Sequence, residues 1–173
     1  WTLTKEFGCG MFHVEPNFHA HWVRYRQLLR QRNAALRSGQ FDQRLLRSWE
    51  NDFAHSACVL TTAYQDYVQQ LRGALADFSG NAWPEWAEVV LEFDPAWDVD
   101  SAPDVEHFIR QLRAQEARDR QRGFTGVGPH EAEIRIRFSG YLARDVLSRG
   151  QIKLLSILLM LIQAQQLGTE RGG

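Results

Sequence analysis

Between Asp42 and Phe78 the residues Leu45, Trp49, Phe53, Leu60, Tyr64, Leu71, Leu75 and Phe78 recur at intervals of three, four or seven. That spacing puts them on one side of an α-helix, and it predicts a single long helix from about Asp42 to about Phe78. Just upstream, Phe18, Trp22, Tyr25, Leu29 and Leu36 form a similar stripe that Asn17 can cap and Ser38-Gly39 ends. Two amphipathic helices joined by so short a glycine-containing turn predict an antiparallel helical hairpin.

The remaining segments change texture. Residues 1–16, with Gly8, Gly10 and Pro16, read as an irregular or extended lead-in. Ser79-Gly80-Asn81 breaks the long helix, and Val89-Val90-Leu91-Glu92-Phe93 has the β-branched content of a short strand. A third helix is expected from Pro103 to about Gln121, carrying Val105, Phe108, Ile109 and Leu112. After a loop at Gly126, Gly128 and Pro129, the alternation of Glu133-Ile134-Arg135-Ile136-Arg137-Phe138 predicts a half-buried strand. Ser139-Gly140 is a turn, and a last helix runs from about Ser148 to Leu167. The expectation is an α+β chain: a lead-in at 1–16, a helical arm with a short strand insertion at 17–121, and a separate unit at 122–173.

The net charge of −1 gives no whole-chain case for nucleic acid, but the distribution is uneven. Seven arginines lie between Arg24 and Arg47 against one acid, Asp42, and Arg110, Arg113, Arg118, Arg120 and Arg122 form a second cluster. Such stretches can meet a phosphate backbone, although a solvated helix face produces the same pattern. Arg30, Arg32, Arg37 and Arg120 are the candidate contacts. Cys9 and Cys58 are too few for a disulfide framework, which points to a reducing compartment. No signal peptide is visible, and the apolar run Ile152–Leu161 is too short to span a bilayer, so a cytoplasmic location is expected. A chain that starts at Trp1 without Met and stops just past a helix is expected to be an excised piece.

The candidate site is the run Leu147-Ser148-Arg149-Gly150-Gln151, followed by Lys153-Leu154-Leu155. A turn leading straight into a helix presents unbonded N–H groups and the positive end of the helix dipole, which suits a phosphate. Arg149 and Gln151 add a charged fork and an amide donor there. The plainer alternative makes Ser148 an ordinary N-cap with Arg149 and Gln151 in solvent. The order Leu-Ser-Arg-Gly-Gln-x-Lys-Leu-Leu also resembles the signature motif of ABC-type ATPases in the form used by the RecF family. Phe12-His13-Val14-Glu15-Pro16 resembles that family's entry to its helical arm, and Leu29-Arg30-Gln31-Arg32-Asn33-Ala34-Ala35-Leu36-Arg37 resembles a helix of the arm. Arg118-Asp119-Arg120, Thr125 and Gly128-Pro129-His130 are similar to the stretch that returns the chain to the ATPase lobe.

That resemblance implies an antiparallel helical arm plus the signature-bearing part of an ABC/SMC-like P-loop ATPase lobe. It implies that two heads sandwich ATP and Mg2+, with Ser148, Arg149, Gly150 and Gln151 reaching nucleotide in trans. It further implies a DNA repair, recombination and replication-restart protein that binds single-strand/double-strand junctions as an ATP-dependent homodimer, works with RecO and RecR, and is a weak DNA-dependent ATPase. The chain itself has no Gly-x-x-x-x-Gly-Lys-Ser/Thr segment. Val89-Val90-Leu91-Glu92 mimics a strand ending in an acid but precedes the signature run, so Glu92 is read as a strand residue and no catalytic residue is expected.

The chain departs from the family at Gly8 and Cys9, at Glu131, where Arg or Lys is usual, and at Ile162, where a small residue is usual. A zinc site from Cys9, His13, His19 and His21 fits no trusted spacing, and no metal is expected. His130 is read as a loop-packing residue over a general base. Trp22, Trp49, Tyr64 and Tyr67 are read as core over base-stacking platforms. The competing function is a non-catalytic helical module acting through protein contacts alone.

Overall fold

The computed structural model describes residues 18–38, 43–82 and 86–170, with side chains outside 79–82 and 166–170. Asn17, Gly39, the 1–16 lead-in, Cys9 and His13 therefore lie outside the described residues. The described elements are α1 (Phe18–Arg37), α2 (Gln43–Ala82), β1 (Val89–Asp94), α3 (Val105–Arg122), β2 (Glu133–Phe138), β3 (Tyr141–Leu142), α4 (Ala143–Val146) and α5 (Arg149–Glu170). Two compact units emerge, one holding residues 18–63 and 95–132 and the other 64–94 and 133–170, so α2 contributes to both.

In the first unit α1 and α2 form the expected hairpin. Tyr25 stacks on Phe53 at 4.8 Å, and Arg24 pairs with Asp52 at 2.8 Å. Each of these partners sits roughly equally far from the connection between the two helices, as an antiparallel pair requires. The aromatic contacts continue through a tilted Phe53–Phe108 pair at 5.9 Å to an edge-on Phe108–Trp97 pair at 4.8 Å, which ties α3 to the hairpin. Trp97 buries its indole N–H against the Thr61 hydroxyl at 3.1 Å, so the polar end of that large ring is satisfied. α3 begins slightly later than expected: Asp104 is the N-cap, its carboxylate accepting the His107 N–H at 2.7 Å. It stops at Gly123, whose φ of +75° is the left-handed cap that glycine adopts without strain.

The buried face of α1 is Phe18, Tyr25, Leu28, Arg32 and Leu36. Leu28 thus takes the place expected for Leu29, which is half-buried. Along α2 the interior includes Leu46, Phe53, Leu60, Tyr64, Leu71 and Leu75, whereas Leu45 is exposed. One helical position separates Leu45 from Leu46, and the stripe drifts by that much at its start. Tyr64 and Tyr67 are buried, and Trp22 and Trp49 half-buried, so none of the four is an open stacking platform.

The second unit is built on a three-stranded antiparallel sheet of order β1-β2-β3. β1 pairs with β2 from Val89↔Phe138 to Asp94↔Glu133. The strand expected as an insertion in the arm therefore pairs with the strand expected in the 122–173 unit. Its side chains explain this: Leu91 and Ile134 are buried, while Glu92 pairs with Arg137 at 2.7 Å and Asp94 with Arg135 at 2.6 Å. Glu92 is a cross-strand ion-pair residue. Ser139 (φ +51°) and Gly140 (φ +82°) make the two-residue connection to β3. α5 buries Leu155, Leu158, Leu159 and Ile162. The Gln163 amide donates to the Tyr67 hydroxyl, joining α5 to the second half of α2. Among the described helices none is long and apolar enough to cross a membrane.

Candidate functional site

α5 starts as the sequence pattern demands. Leu147 leaves α4 in an extended conformation and is buried, and Ile152 N–H bonds the Ser148 carbonyl at 2.9 Å to open the helix. Ser148 and Gln151 then cap each other. The Gln151 N–H donates to Ser148 Oγ at 3.3 Å, and the Ser148 N–H donates to Gln151 Oε1 at 2.9 Å. This is a reciprocal capping box, with Ser at the cap and Gln three residues on. Ser148, Arg149, Gly150 and Gln151 are all exposed, so the structure brings the four candidate residues together on one accessible helix start.

Gly150 occupies the second position of α5. Among the described residues a methyl group there would meet only Ser148 Oγ, at 4.0 Å. Neither packing nor a positive φ calls for glycine, although glycine costs a helix about 1 kcal/mol relative to alanine. The backbone N–H groups of Arg149 and Gly150 belong to the helix's first turn, which has no intrahelical acceptors, and the helix dipole adds positive potential at the same place. Chemically, this end of α5 can receive an anion close to its main chain.

The four arginine candidates for DNA separate. Arg30, Arg37 and Arg120 lie on exposed helix faces. Arg32 does not. It is 9% exposed, and its Nη1 donates to Asp119 Oδ2 at 2.9 Å and to Thr125 Oγ1 at 2.5 Å. Its place on the apolar stripe of α1, four residues from Leu28 and four from Leu36, commits the guanidinium to the interior.

Around Arg32 the structure assembles a polar cluster that sequence reasoning missed. Asn33 Oδ1 accepts both the N–H and the hydroxyl of Thr125 at 2.8 Å, and Asp119 Oδ1 accepts the Gly126 N–H at 3.0 Å. His130 Nε2 lies 2.9 Å from the Thr125 carbonyl, and Nδ1 lies 2.7 Å from the Tyr25 hydroxyl. Because a carbonyl only accepts, Nε2 carries the proton, Nδ1 is the acceptor and Tyr25 donates to it. Burial lowers the His130 pKa below its usual 6.5, which keeps the ring neutral. The Arg-Gln-Arg-Asn and Arg-Asp-Arg/Thr/Gly-Pro-His segments, which carry the family resemblance, therefore meet here as a structural clasp. Arg32 on an apolar stripe was the available signal.

No family model matches the chain. It is similar to the DNA replication and repair protein RecF of Stenotrophomonas maltophilia, 37% identical over 163 residues, or 94% of this chain and 43% of that protein. The RecF of Thioalkalivibrio sulfidiphilus is 40% identical over 158 residues, 91% of this chain and 41% of that protein. Among solved structures, "the recombination mediator protein RecF-ATPrS in RecFOR pathway" superposes with a TM-score of 0.83 at 21% identity, covering 92% of this chain and 44% of that one. The corresponding RecF-ATP structure gives 0.81. At that identity the structural likeness is one of fold, and it bears out the α+β class expected from sequence. The chain spans less than half the length of the curated relatives it matches. The signature run, the clasp between the Arg-Gln-Arg-Asn helix and the Arg118–His130 stretch, and this agreement in sequence and fold establish that the chain belongs to the RecF family of DNA replication and repair proteins.

Proposed function

We propose that this chain supplies the signature half of a composite ATP site in a RecF-type DNA repair, recombination and replication-restart protein. In this reading Ser148, Arg149, Gly150 and Gln151 approach the γ-phosphate of ATP that a second head holds, with Mg2+, in its P-loop. The carrying observation is the start of α5: an exposed, self-capped helix end with a glycine that the fold does not itself require. An anion brought against the main chain gives that glycine a purpose. In this reading the phosphate cradle and the hydroxyl that ligates magnesium come from the other head.

ATP then joins two heads into a homodimer, and the parent, a weak DNA-dependent ATPase in the cytoplasm, closes on DNA at single-strand/double-strand junctions. The shared fold with a recombination mediator protein of the RecFOR pathway supports RecO and RecR as partners. Exposed Arg30, Arg37 and Arg120 are the phosphate contacts of this reading. The test mixes this chain with a P-loop-bearing RecF head and ATP and follows association by sedimentation. Ser148→Arg is expected to abolish ATP-dependent association; unchanged association overturns the trans site.

One observation favours the second reading, a module acting through protein contacts alone. α5 exposes Leu154, Ile157, Met160 and Leu161 on the side away from its buried face, and a helix apolar on both sides ordinarily has a partner on each. Association abolished by Leu161→Glu and indifferent to ATP selects that reading.

A further inference from the structure

The segment from Gly123 to Glu131 has no helix or strand of its own, and its fixings run through a few polar atoms. Thr125 is held by Asn33 and Arg32, Gly126 by Asp119, and the Gly128 N–H reaches the Ala96 carbonyl at 3.4 Å. Its far end is held by His130, which bridges the Thr125 carbonyl and the Tyr25 hydroxyl. We propose that His130 makes residues 123–131 a proton-gated latch, closed when the imidazole is neutral and released when Nδ1 takes up a proton.

The geometry supplies the gate. With Nε2–H committed to the Thr125 carbonyl, Nδ1 is an acceptor and the Tyr25 hydroxyl points its hydrogen at it. A proton on Nδ1 sets a donor against a donor, and the hydroxyl must turn its hydrogen elsewhere. Tyr25 has little room to adjust. It is fully buried, its ring is stacked on Phe53, and its oxygen lies 2.7 Å from where a Cβ on Gly128 would stand.

The charges facing the ring divide. From α1, Arg32 opposes a second positive charge; from α3, Asp119 favours it, but that carboxylate is already paired with Arg32 at 2.9 Å. On the segment itself Glu131 favours protonation, with a carboxylate oxygen 3.9 Å from Nε2. Burial outweighs the Thr125 carbonyl and the two carboxylates, all of which favour the protonated ring, so the closed state is the neutral one. The Glu131 carboxylate therefore sets the opening at a higher pH than a neutral or cationic side chain in its place would. The proposal is independent of any nucleotide role.

The test follows His130 by NMR and amide exchange of residues 124–131 by mass spectrometry, both on the whole chain between pH 8 and 5. Exchange is first corrected for its intrinsic pH dependence. The expected result is a rise of about tenfold or more in corrected exchange, in step with His130 protonation. Glu131→Gln, a change at an exposed side chain that leaves the core intact, is expected to move both midpoints to lower pH together. Corrected exchange that stays flat while His130 titrates, or midpoints that part company in Glu131→Gln, overturns the latch.

Discussion

Arg32 and Asp119, 87 positions apart in the chain, form a buried ion pair at 2.9 Å in which the carboxylate is almost wholly shielded from water. Removing one partner strands the other. Asp119→Ala is expected to destabilise the chain by about 3–5 kcal/mol, because an unpaired buried guanidinium remains. Replacing both residues with apolar side chains of similar size is expected to cost clearly less. Urea unfolding of the two variants decides it, and a loss below about 1 kcal/mol for Asp119→Ala would show that the pair is not a support of the fold.

Two glycines are expected to respond oppositely to alanine. Gly128 has φ +124°, and a methyl group there would meet the Tyr25 hydroxyl at 2.7 Å and Phe108 at 3.2 Å, so Gly128→Ala should cost about 2–4 kcal/mol. Gly73 lies inside α2 with nothing within 4 Å of the added carbon, and Gly73→Ala should stabilise by about 0.5–1 kcal/mol. Thermal melts of both variants in one buffer make the comparison.

At the start of α5, Ser148→Ala removes a cap and should cost about 1 kcal/mol. Gly150→Ala is expected to do the reverse, raising stability by about 0.5–1 kcal/mol in the chain alone. If the trans site is correct, the same Gly150→Ala lowers ATP-dependent association with a P-loop-bearing head. A variant more stable yet unchanged in association would contradict that role for Gly150.

Stability should fall in mild acid. The His130 pKa is lowered on folding, so the unfolded chain takes up the proton first as pH drops. The contribution is fully present above about pH 6.5, is lost as pH falls from there toward the depressed folded value, and then levels off. Urea midpoints measured from pH 8 to 5 are expected to decline in that window and to do so far less in His130→Gln.

Cys58 should be nearly inert while the chain is folded. Burial pushes its thiol up to about 11, with Asp104 adding to the rise, which cuts the reactive thiolate at pH 8 about a hundredfold relative to an ordinary thiol. Iodoacetamide labelling at Cys58, located by mass spectrometry, is expected only after urea unfolding. Rapid labelling of the native chain would place the thiol at the surface.

The helices and the start of α5 were legible because each rests on local order: an apolar period, a serine able to cap, a glycine at a stop. The return bond was not, since the Gln151 amide is expected as a donor or in solvent and its Oε1 instead accepts the Ser148 N–H. The pairing of Val89–Asp94 with Glu133–Phe138 was not, since both segments announce themselves as strands but nothing local says which strand pairs with which. The clasp escaped for a related reason. Arg32 and Asn33 lie about ninety residues from Asp119 and Thr125, and a charged residue on a helix is ordinarily read as solvated. Arg32 betrays itself only through its place in the row Tyr25, Leu28, Arg32, Leu36.

The mutual cap of Ser148 and Gln151 also sets the terms on which anything can bind there. An incoming anion does not find vacant donors alone; it competes with the oxygens that already hold the Ser148 and Gln151 amides. What it gains is the difference between a charge-assisted bond and the neutral one it displaces. If the trans site is correct, such a helix end is expected to discriminate by charge density, so that a triphosphate terminus wins an exchange that a carboxamide or hydroxyl loses.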